Sequence, residues 1–318
     1  MSFNNKRLFI AGHKGMVGSA FVRKFKEIGH SEIITFSRRK LDLTSAEKVK
    51  AFFKKEKIDI VINAAAKVGG IVGNEAYPTE FLLENLKIQN NLLENAQKFG
   101  VEKLIFLASC CIYPKHCNQP MKESDLLTGP LEKTNEPYAI AKIAGILLAQ
   151  SMSKQTNLKT FCPMPINLYG PEDNFHPKFS HVIPGLIVRM HAAMKRNDPI
   201  FEVWGSGNVR REFMHVDDCV DGILFSENNF DKGEIVNISP GIELTTRETA
   251  EMIKDELGYK GELIQDLGKP DGTPRKLADS TIMKNLGWKP KIKFEDGLKN
   301  TIQWYLTNLK SLRGFNDK

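Results

Sequence analysis

The sequence predicts an α/β protein: a doubly wound parallel sheet joined to a smaller α+β C-terminal domain. Three observations lead there. Short apolar runs alternate with helix-period segments through the first half. A glycine-rich turn follows the first apolar run. After Gly170 the alternation gives way to the Pro- and His-bearing stretch "GPEDNFHPKFSHVIP".

Taken in order, "RLFIAG" is a short apolar run and predicts a strand. "MVGSAFVRKFKEIG" carries apolar residues at helical spacing and predicts a helix. "EIITFS" predicts a second strand, "SAEKVKAFFKKE" a helix, and "IDIVINAAA" a third strand. A long helix is expected from about Pro78 to Phe99, then the strand "KLIFLAS". A further helix spans about Pro137 to Lys154, and "KTFCPMPINLYG" holds the next strand. "GLIVRMHAAMKR" is helical. "REFMHVDDCVDGILF" is expected to return to the sheet as one more strand and helix, followed by the strand "GEIVNIS".

Composition narrows the function classes. The chain has 318 residues and a formal net charge of +7. Its cations are scattered along stretches such as "KVKAFFKKEK" rather than gathered with aromatics, which argues against nucleic acid and for anionic small ligands. No apolar run nears the roughly 20 residues that span a bilayer, and "MSFNNKRLFIAGHKG" lacks a secretory signal. The expected location is cytoplasmic. Five cysteines, at 110, 111, 117, 162 and 219, do not make a secreted disulfide framework. Cys110, Cys111, His116 and Cys117 fit zinc spacing poorly, because two are adjacent, so no metal is expected.

The turn "AGHKGMVG" places Gly12, Gly15 and Gly18 between a strand and a helix. Glycines there permit a tight turn, close approach to a pyrophosphate and close helix packing. This is the pattern of a Rossmann-type dinucleotide site. At the end of the second strand an NAD site would carry an acid for the ribose hydroxyls. Here the chain reads Ser37-Arg38-Arg39, and a guanidinium pairs with a 2′-phosphate that a carboxylate would repel. Lys14 adds a second cation. The cofactor read from these residues is NADP(H). Residues 1–172, with 213–240 returning, are expected to form the NADP-binding domain, and 173–212 with 241–318 the substrate domain.

"FLASCCIYPK" ends a strand in Ser109, Cys110 and Cys111. "PYAIAKIAG" sets Tyr138 and Lys142 four residues apart, on one helix face. A nearby ammonium favours a tyrosinate, which makes the phenol a usable acid or base. Ser109, about 29 residues before Tyr138, completes the set.

These residues resemble the extended short-chain dehydrogenase/reductases. The segments "GHKGMVGSA", "CIYPK", "NEPYAIAKIAG", "NLYGPEDNFHP", "SHVIP", "WGSG", "REFMHVDD" and "KPDGTPRKL" are similar to the GDP-L-fucose synthases, over nearly the whole chain. The resemblance implies an NADPH-dependent 3,5-epimerase and 4-reductase acting on GDP-4-keto-6-deoxy-D-mannose. It implies that Cys111 is the base and His181 the acid at C3 and C5, that Ser109 and Tyr138 hold the C4 oxygen, and that Lys142 orients the cofactor ribose. A thiol that titrates at about 8.5 and an imidazole near neutrality suit these tasks. Cys110 is then a bystander.

The resemblance also places the cofactor along His13, Lys14, Met16 and Val17 of the loop, Arg38, Leu41 and Asp42 after the second strand, and Leu107 and Ala108 before Ser109. Pro165, Asn167, Leu168 and His181 fall near the nicotinamide. Arg189, Trp204, Arg211, Asp271 and Lys276 match positions that bind the GDP-sugar. The long Pro78 helix and the Tyr138 helix are expected to build a four-helix bundle in a homodimer. Two alternatives stay open: a homologue acting on another GDP-4-keto-deoxysugar or heptose, such as a GDP-colitose synthase, and a non-catalytic NADP-binding protein.

Overall fold

The computed structural model describes Phe3, residues 5–269 and residues 271–312. Pro270 of the "KPDGTPRKL" motif lies outside them, as do Met1, Ser2, Asn4 and residues 313–318 at the outer limits of the two expected domains.

In chain order the elements are β1 (Leu8–Ala11), α1 (Met16–Glu27), β2 (Ile33–Ile34), α2 (Ala46–Lys55), β3 (Ile60–Asn63), α3 (Ile71–Ala76), α4 (Pro78–Lys98), β4 (Lys103–Phe106), α5 (Glu136–Gln155), β5 (Lys159–Pro165) and β6 (Asn167–Tyr169). There follow α6 (Val182–Arg196), β7 (Ile200–Trp204), β8 (Arg210–His215), α7 (Val216–Ser226), β9 (Lys232–Ile238), β10 (Glu243–Thr245), α8 (Thr246–Leu257), β11 (Glu262–Asp266), β12 (Arg275–Lys276), α9 (Thr281–Asn285) and α10 (Phe294–Thr307).

The central sheet runs β2-β1-β3-β4-β5-β9, all parallel. Every residue of β1, β3 and β4 is buried, because helices cover both faces of such a sheet. Helix α1 turns Phe21 and Phe25 inward and α2 turns in Phe52 and Phe53. Ser45 caps α2 by accepting the Lys48 N–H. Helix α4 buries amides as well as apolar groups, and these act as tethers: Gln89 donates to the Ala141 carbonyl of α5 at 2.7 Å. Gly145 lets α5 lie this close, since a Cβ there would stand 2.3 Å from the Phe106 ring and 2.8 Å from Gln89 Oε1. That contact sets where α5 holds Tyr138 and Lys142.

Three strand expectations are corrected. Of "EIITFS" only Ile33 and Ile34 pair, because β2 is an edge with β1 alone beside it. "KTFCPMPINLYG" is two strands. After Pro165 the chain leaves β9 and pairs with β8 instead. Strand β8 does not return to the central sheet. It sits between β10 and β12 with β6 alongside, so from that stretch only α7 packs back, against α1.

Buried side chains form two clusters, one around the central sheet and one around Tyr169, Phe175, Ile187 and Tyr305. Ala278, Met283 and Trp288 join the first cluster, although they lie late in the chain. Among the described residues no helix is long and apolar enough to cross a membrane.

Candidate active site

Strand β1 has β2 on one side and β3 on the other, so the sheet switches direction there, and open α/β sheets bind ligands at such a point. Gly12 holds φ +81°, and a Cβ on it would lie 2.7 Å from the Ala64 carbonyl oxygen. A Cβ on Gly18 would lie 2.2 Å from the Gly12 oxygen. Glycine is therefore required at both places for α1 to begin directly over the end of β1. The Gly15 N–H donates to the Gly12 carbonyl at 2.8 Å. Met16, Val17 and Gly18 form the first turn of α1, which contains no acidic residue. Free N–H groups and the helix dipole favour an anion at that end. The cradle suits a dinucleotide pyrophosphate.

His13 is half-buried in this loop, and burial and Lys14 push its pKa down. Lys14 is exposed. Arg38 is exposed as well and pairs with Glu84 of α4 at 3.2 Å. Leu41 is buried beneath that turn. Asp42 is engaged locally: its Oδ1 accepts the Thr44 N–H at 3.0 Å and hydroxyl at 2.8 Å, which lowers its carboxyl pKa.

Past β4 the chain stays in the sheet. Leu107 donates to the Asn63 carbonyl and Ala108 to that of Pro163. Ser109 then caps the short 3-10 turn Cys110–Ile112 by accepting the Cys111 N–H. Its hydroxyl donates to the Cys111 sulfur at 3.0 Å. Cys110 points the other way. It is buried, and its thiol donates to the Met164 carbonyl at 2.9 Å. Burial pushes the Cys110 pKa well up, so this thiol is inert.

Tyr138 is buried, and Ser109 is the neighbour that pulls its pKa down. Burial and Cys111 hold its pKa well above the ordinary phenol value. This corrects the expectation of a tyrosinate favoured by Lys142. Desolvation dominates, and the Lys142 ammonium turns instead to the Leu107 carbonyl at 2.7 Å. Burial pushes the Lys142 pKa down to about 8, against the pull of Cys111.

Lys276 lies beside Arg211 in the β12–β8 pairing. Burial lowers its pKa, and Cys111 is the largest opposing influence. The structure thus gathers Ser109, Cys111, Tyr138, Lys142 and Lys276 into one electrostatic cluster. Arg211 is lowered to about 10 by burial. Arg189 and Trp204 form a second group, the guanidinium 4.2 Å over the indole ring. Asp271 latches a neighbouring turn by accepting the Ser206 N–H at 2.9 Å. His181 stands at the N-cap of α6. It is exposed, and its side chain makes no cap bond. Pro165 ends β5 buried, Asn167 donates to the Glu212 carbonyl at 2.9 Å, and Leu168 is half-buried in β6. His176 accepts the Lys178 and Phe179 N–H groups, a structural role.

Several residues were not marked by the sequence. Glu212 is fully buried and accepts from Ser239, from the Gly241 N–H at 2.7 Å and from the Ala278 N–H at 2.8 Å, tying β8 to the segment after Lys276. Asn237 accepts the Tyr113 hydroxyl at 2.7 Å and donates to the Met121 carbonyl at 2.9 Å. Asn135 donates to the Cys111 carbonyl at 3.3 Å.

Comparison with known proteins agrees with this geometry. Residues 8–239 match the model of the NAD dependent epimerase/dehydratase family. GDP-L-fucose synthase 1 of Arabidopsis thaliana is 50% identical over 97% of this chain and 96% of its own. The GDP-L-fucose synthase of Escherichia coli (strain K12) is 48% identical over 98% of this chain and 100% of its own. The crystal structure of a GDP-L-fucose synthetase from Naegleria fowleri bound to NADP superposes with a TM-score of 0.90 at 28% identity, over 97% of this chain and 95% of that one. Glycine cradle, Ser-Tyr-Lys cluster and near-full-length similarity converge: the chain belongs to the NAD dependent epimerase/dehydratase family and, within it, to the GDP-L-fucose synthases.

Proposed function

We propose that this protein converts GDP-4-keto-6-deoxy-D-mannose to GDP-L-fucose, inverting C3 and C5 and then reducing C4. The observation that carries this reading is the contact between Ser109, Cys111 and Tyr138 at the sheet's carboxyl edge. It puts a thiol for proton removal beside two hydroxyls for a ketone oxygen.

Gly12, Gly15 and Gly18 would hold NADPH, which when bound would supply the hydride for C4. Arg38 and Lys14 would meet its 2′-phosphate, and Lys142 its ribose. Ser109 and Tyr138 hold the C4 oxygen, so that negative charge gathered there during proton abstraction is stabilised. Cys111 takes the proton from C3 or C5, and His181, on α6, returns one to the opposite face. Tyr138, held protonated by its burial, then gives its proton to the C4 oxygen. Arg211 and Lys276 meet the pyrophosphate, and Trp204, Arg189 and Asp271 the rest of the nucleotide.

The two clusters of buried side chains support a cofactor half (1–172 and 213–240) and a substrate half (173–212 and 241–318), with Tyr169 and Phe213 packing into the second cluster and Ala278 and the α9 segment packing back on the first. A homodimer through α4 and α5 is supported by the apolar groups these helices leave exposed, Leu83, Ile140 and Leu147. Five free cysteines, one of them catalytic in this reading, suit a reducing cytoplasm.

The test is incubation with GDP-4-keto-6-deoxy-D-mannose and NADPH in heavy water. GDP-L-fucose carrying deuterium at C3 and C5 is the expected product. NADPH oxidation with deuterium at C5 alone, or at neither carbon, would make this a reductase of a different keto sugar. Cofactor binding without turnover of any GDP-keto sugar would leave a binding protein.

A further inference from the structure

We propose that Gly70 and Asn74 are positioning residues for the two epimerisations, bracing the backbones of His181 and Cys111 through one short element, and that they are not needed for the reduction. The inference rests on the function proposed above.

Four observations carry it. Gly70, the residue before α3, donates its N–H to the Phe179 carbonyl at 3.0 Å. A Cβ on Gly70 would stand 2.5 Å from the Ser180 oxygen, so the segment leading into His181 lies directly on this glycine. On its other side Gly185 donates to the His181 carbonyl at 3.0 Å, and a Cβ on Gly185 would meet Ser180 Oγ at 2.9 Å. The backbone at Ser180–His181 is thus held between two glycines, while the His181 imidazole is exposed and makes no cap bond.

Asn74 sets the first of these clasps. It is 94% buried by its 6% exposure, and its Nδ2 donates to the carbonyls of Gly69 at 2.9 Å and Gly70 at 3.1 Å. Helix α3 also packs against residues 133–135, where Asn135 holds the Cys111 carbonyl at 3.3 Å. One element therefore touches the supports of both groups that must meet opposite faces of C3 and C5. The reducing groups have anchors of their own: Ser109 at the end of β4, Lys142 on the Leu107 carbonyl, and Tyr138, although it follows Asn135 closely, on an α5 that Gln89 and Gly145 fix against α4 and β4.

Relieving the Gly70→Ala contact requires a movement of about 1 Å, a misplacement that costs up to roughly 100-fold in rate. Asn74→Asp keeps the size of the side chain but sets a carboxylate against two carbonyl oxygens, so it loosens the same clasp without adding bulk.

The experiment compares Gly70→Ala and Asn74→Asp with the wild type in heavy water. Three quantities are read: deuterium exchange into GDP-4-keto-6-deoxy-D-mannose without NADPH, the ratio of unepimerised to epimerised reduced sugar with NADPH, and NADPH affinity by fluorescence titration. Exchange is expected to fall roughly 10- to 100-fold in both variants. The unepimerised GDP-6-deoxyhexose should become a major product, with NADPH affinity unchanged. An unchanged product ratio, or exchange and NADPH affinity falling together, overturns the brace while the proposed function stands. A wild type that neither exchanges nor reduces this sugar overturns the proposed function, and the brace with it.

Discussion

The hydroxyl of Ser109 donates to the sulfur of Cys111 across 3.0 Å while it also acts on the buried Tyr138, whose pKa it pulls down. In the proposed reaction a ketone oxygen arriving between Ser109 and Tyr138 would compete for that same hydroxyl. Binding of the ketone would then release the Cys111 thiol from Ser109, so that holding the C4 oxygen and freeing the proposed base would be one event.

Replacing each of the adjacent cysteines should separate their roles. Cys111→Ala should slow solvent exchange at C3 and C5 by about 10²–10⁴-fold, the usual loss for a general base, and leave NADPH affinity unchanged. Cys110→Ser should keep both reactions, because a hydroxyl can still donate to the Met164 carbonyl. Mass spectrometry of the sugar after a timed exchange measures both.

Lys142 should give the reaction an alkaline limit. Its folded pKa lies near 8, below the ordinary lysine value of 10.5. The ammonium is present below about pH 8 and is lost as pH rises through it, so the rate of the NADPH step should fall along a limb centred there. The same shift has a sign for folding. Holding a charged Lys142 in the interior opposes stability below pH 8, and that opposition eases between pH 8 and 10.5. In Lys142→Arg the limb should vanish from the accessible range, since guanidinium stays protonated. A pH series of kcat decides it.

Arg38 should select the cofactor. Its guanidinium is exposed and pairs with Glu84, which also holds Lys67 at 3.1 Å. Arg38→Glu should weaken NADPH by roughly 10–100-fold, the worth of a charged hydrogen bond, and leave NADH little changed. Steady-state KM values for the two cofactors would show it, and equal losses for both would refute the assignment.

Gly18 should be sensitive to a single methyl group. In Gly18→Ala the new Cβ must push away the Gly12 oxygen, 2.2 Å distant. Overpacking of this kind destabilises by about 1–3 kcal/mol, and here it also moves the N–H groups that face the pyrophosphate. Denaturant melts should show the first effect and NADPH titration the second.

The buried pair Lys103–Glu227, 2.8 Å apart, should matter for stability alone. Lys103→Met takes the ammonium from a fully buried carboxylate and should cost about 3–5 kcal/mol. The double variant with Glu227→Gln should recover much of that loss. Activity at 25 °C, measured where the variant is still folded, should match the wild type.

Much of this protein was legible in its residues. The glycine spacing of 12, 15 and 18, the Tyr138–Lys142 period and the serine at a strand end are local patterns, dictated by backbone sterics and by helix and strand periodicity. They lead to the cofactor site without coordinates. The long helices α4 and α5 were legible for the same reason, within a residue or two at each end.

Tertiary structure decided what depends on residues far apart in the chain. Strand β8 left the central sheet because β6, β10 and β12 offered it partners, a choice that no local propensity records. Tyr138 keeps its proton because burial outweighs a lysine four residues away, and burial is a property of the packed molecule. Glu212, Asn135 and Asn74 read as ordinary polar residues until the fold closes over them. Sequence determined which chemical groups exist and the local turns that present them. Only packing determined their distances, their solvation and hence their charge, because desolvation and Coulomb interactions depend on neighbours in space rather than along the chain.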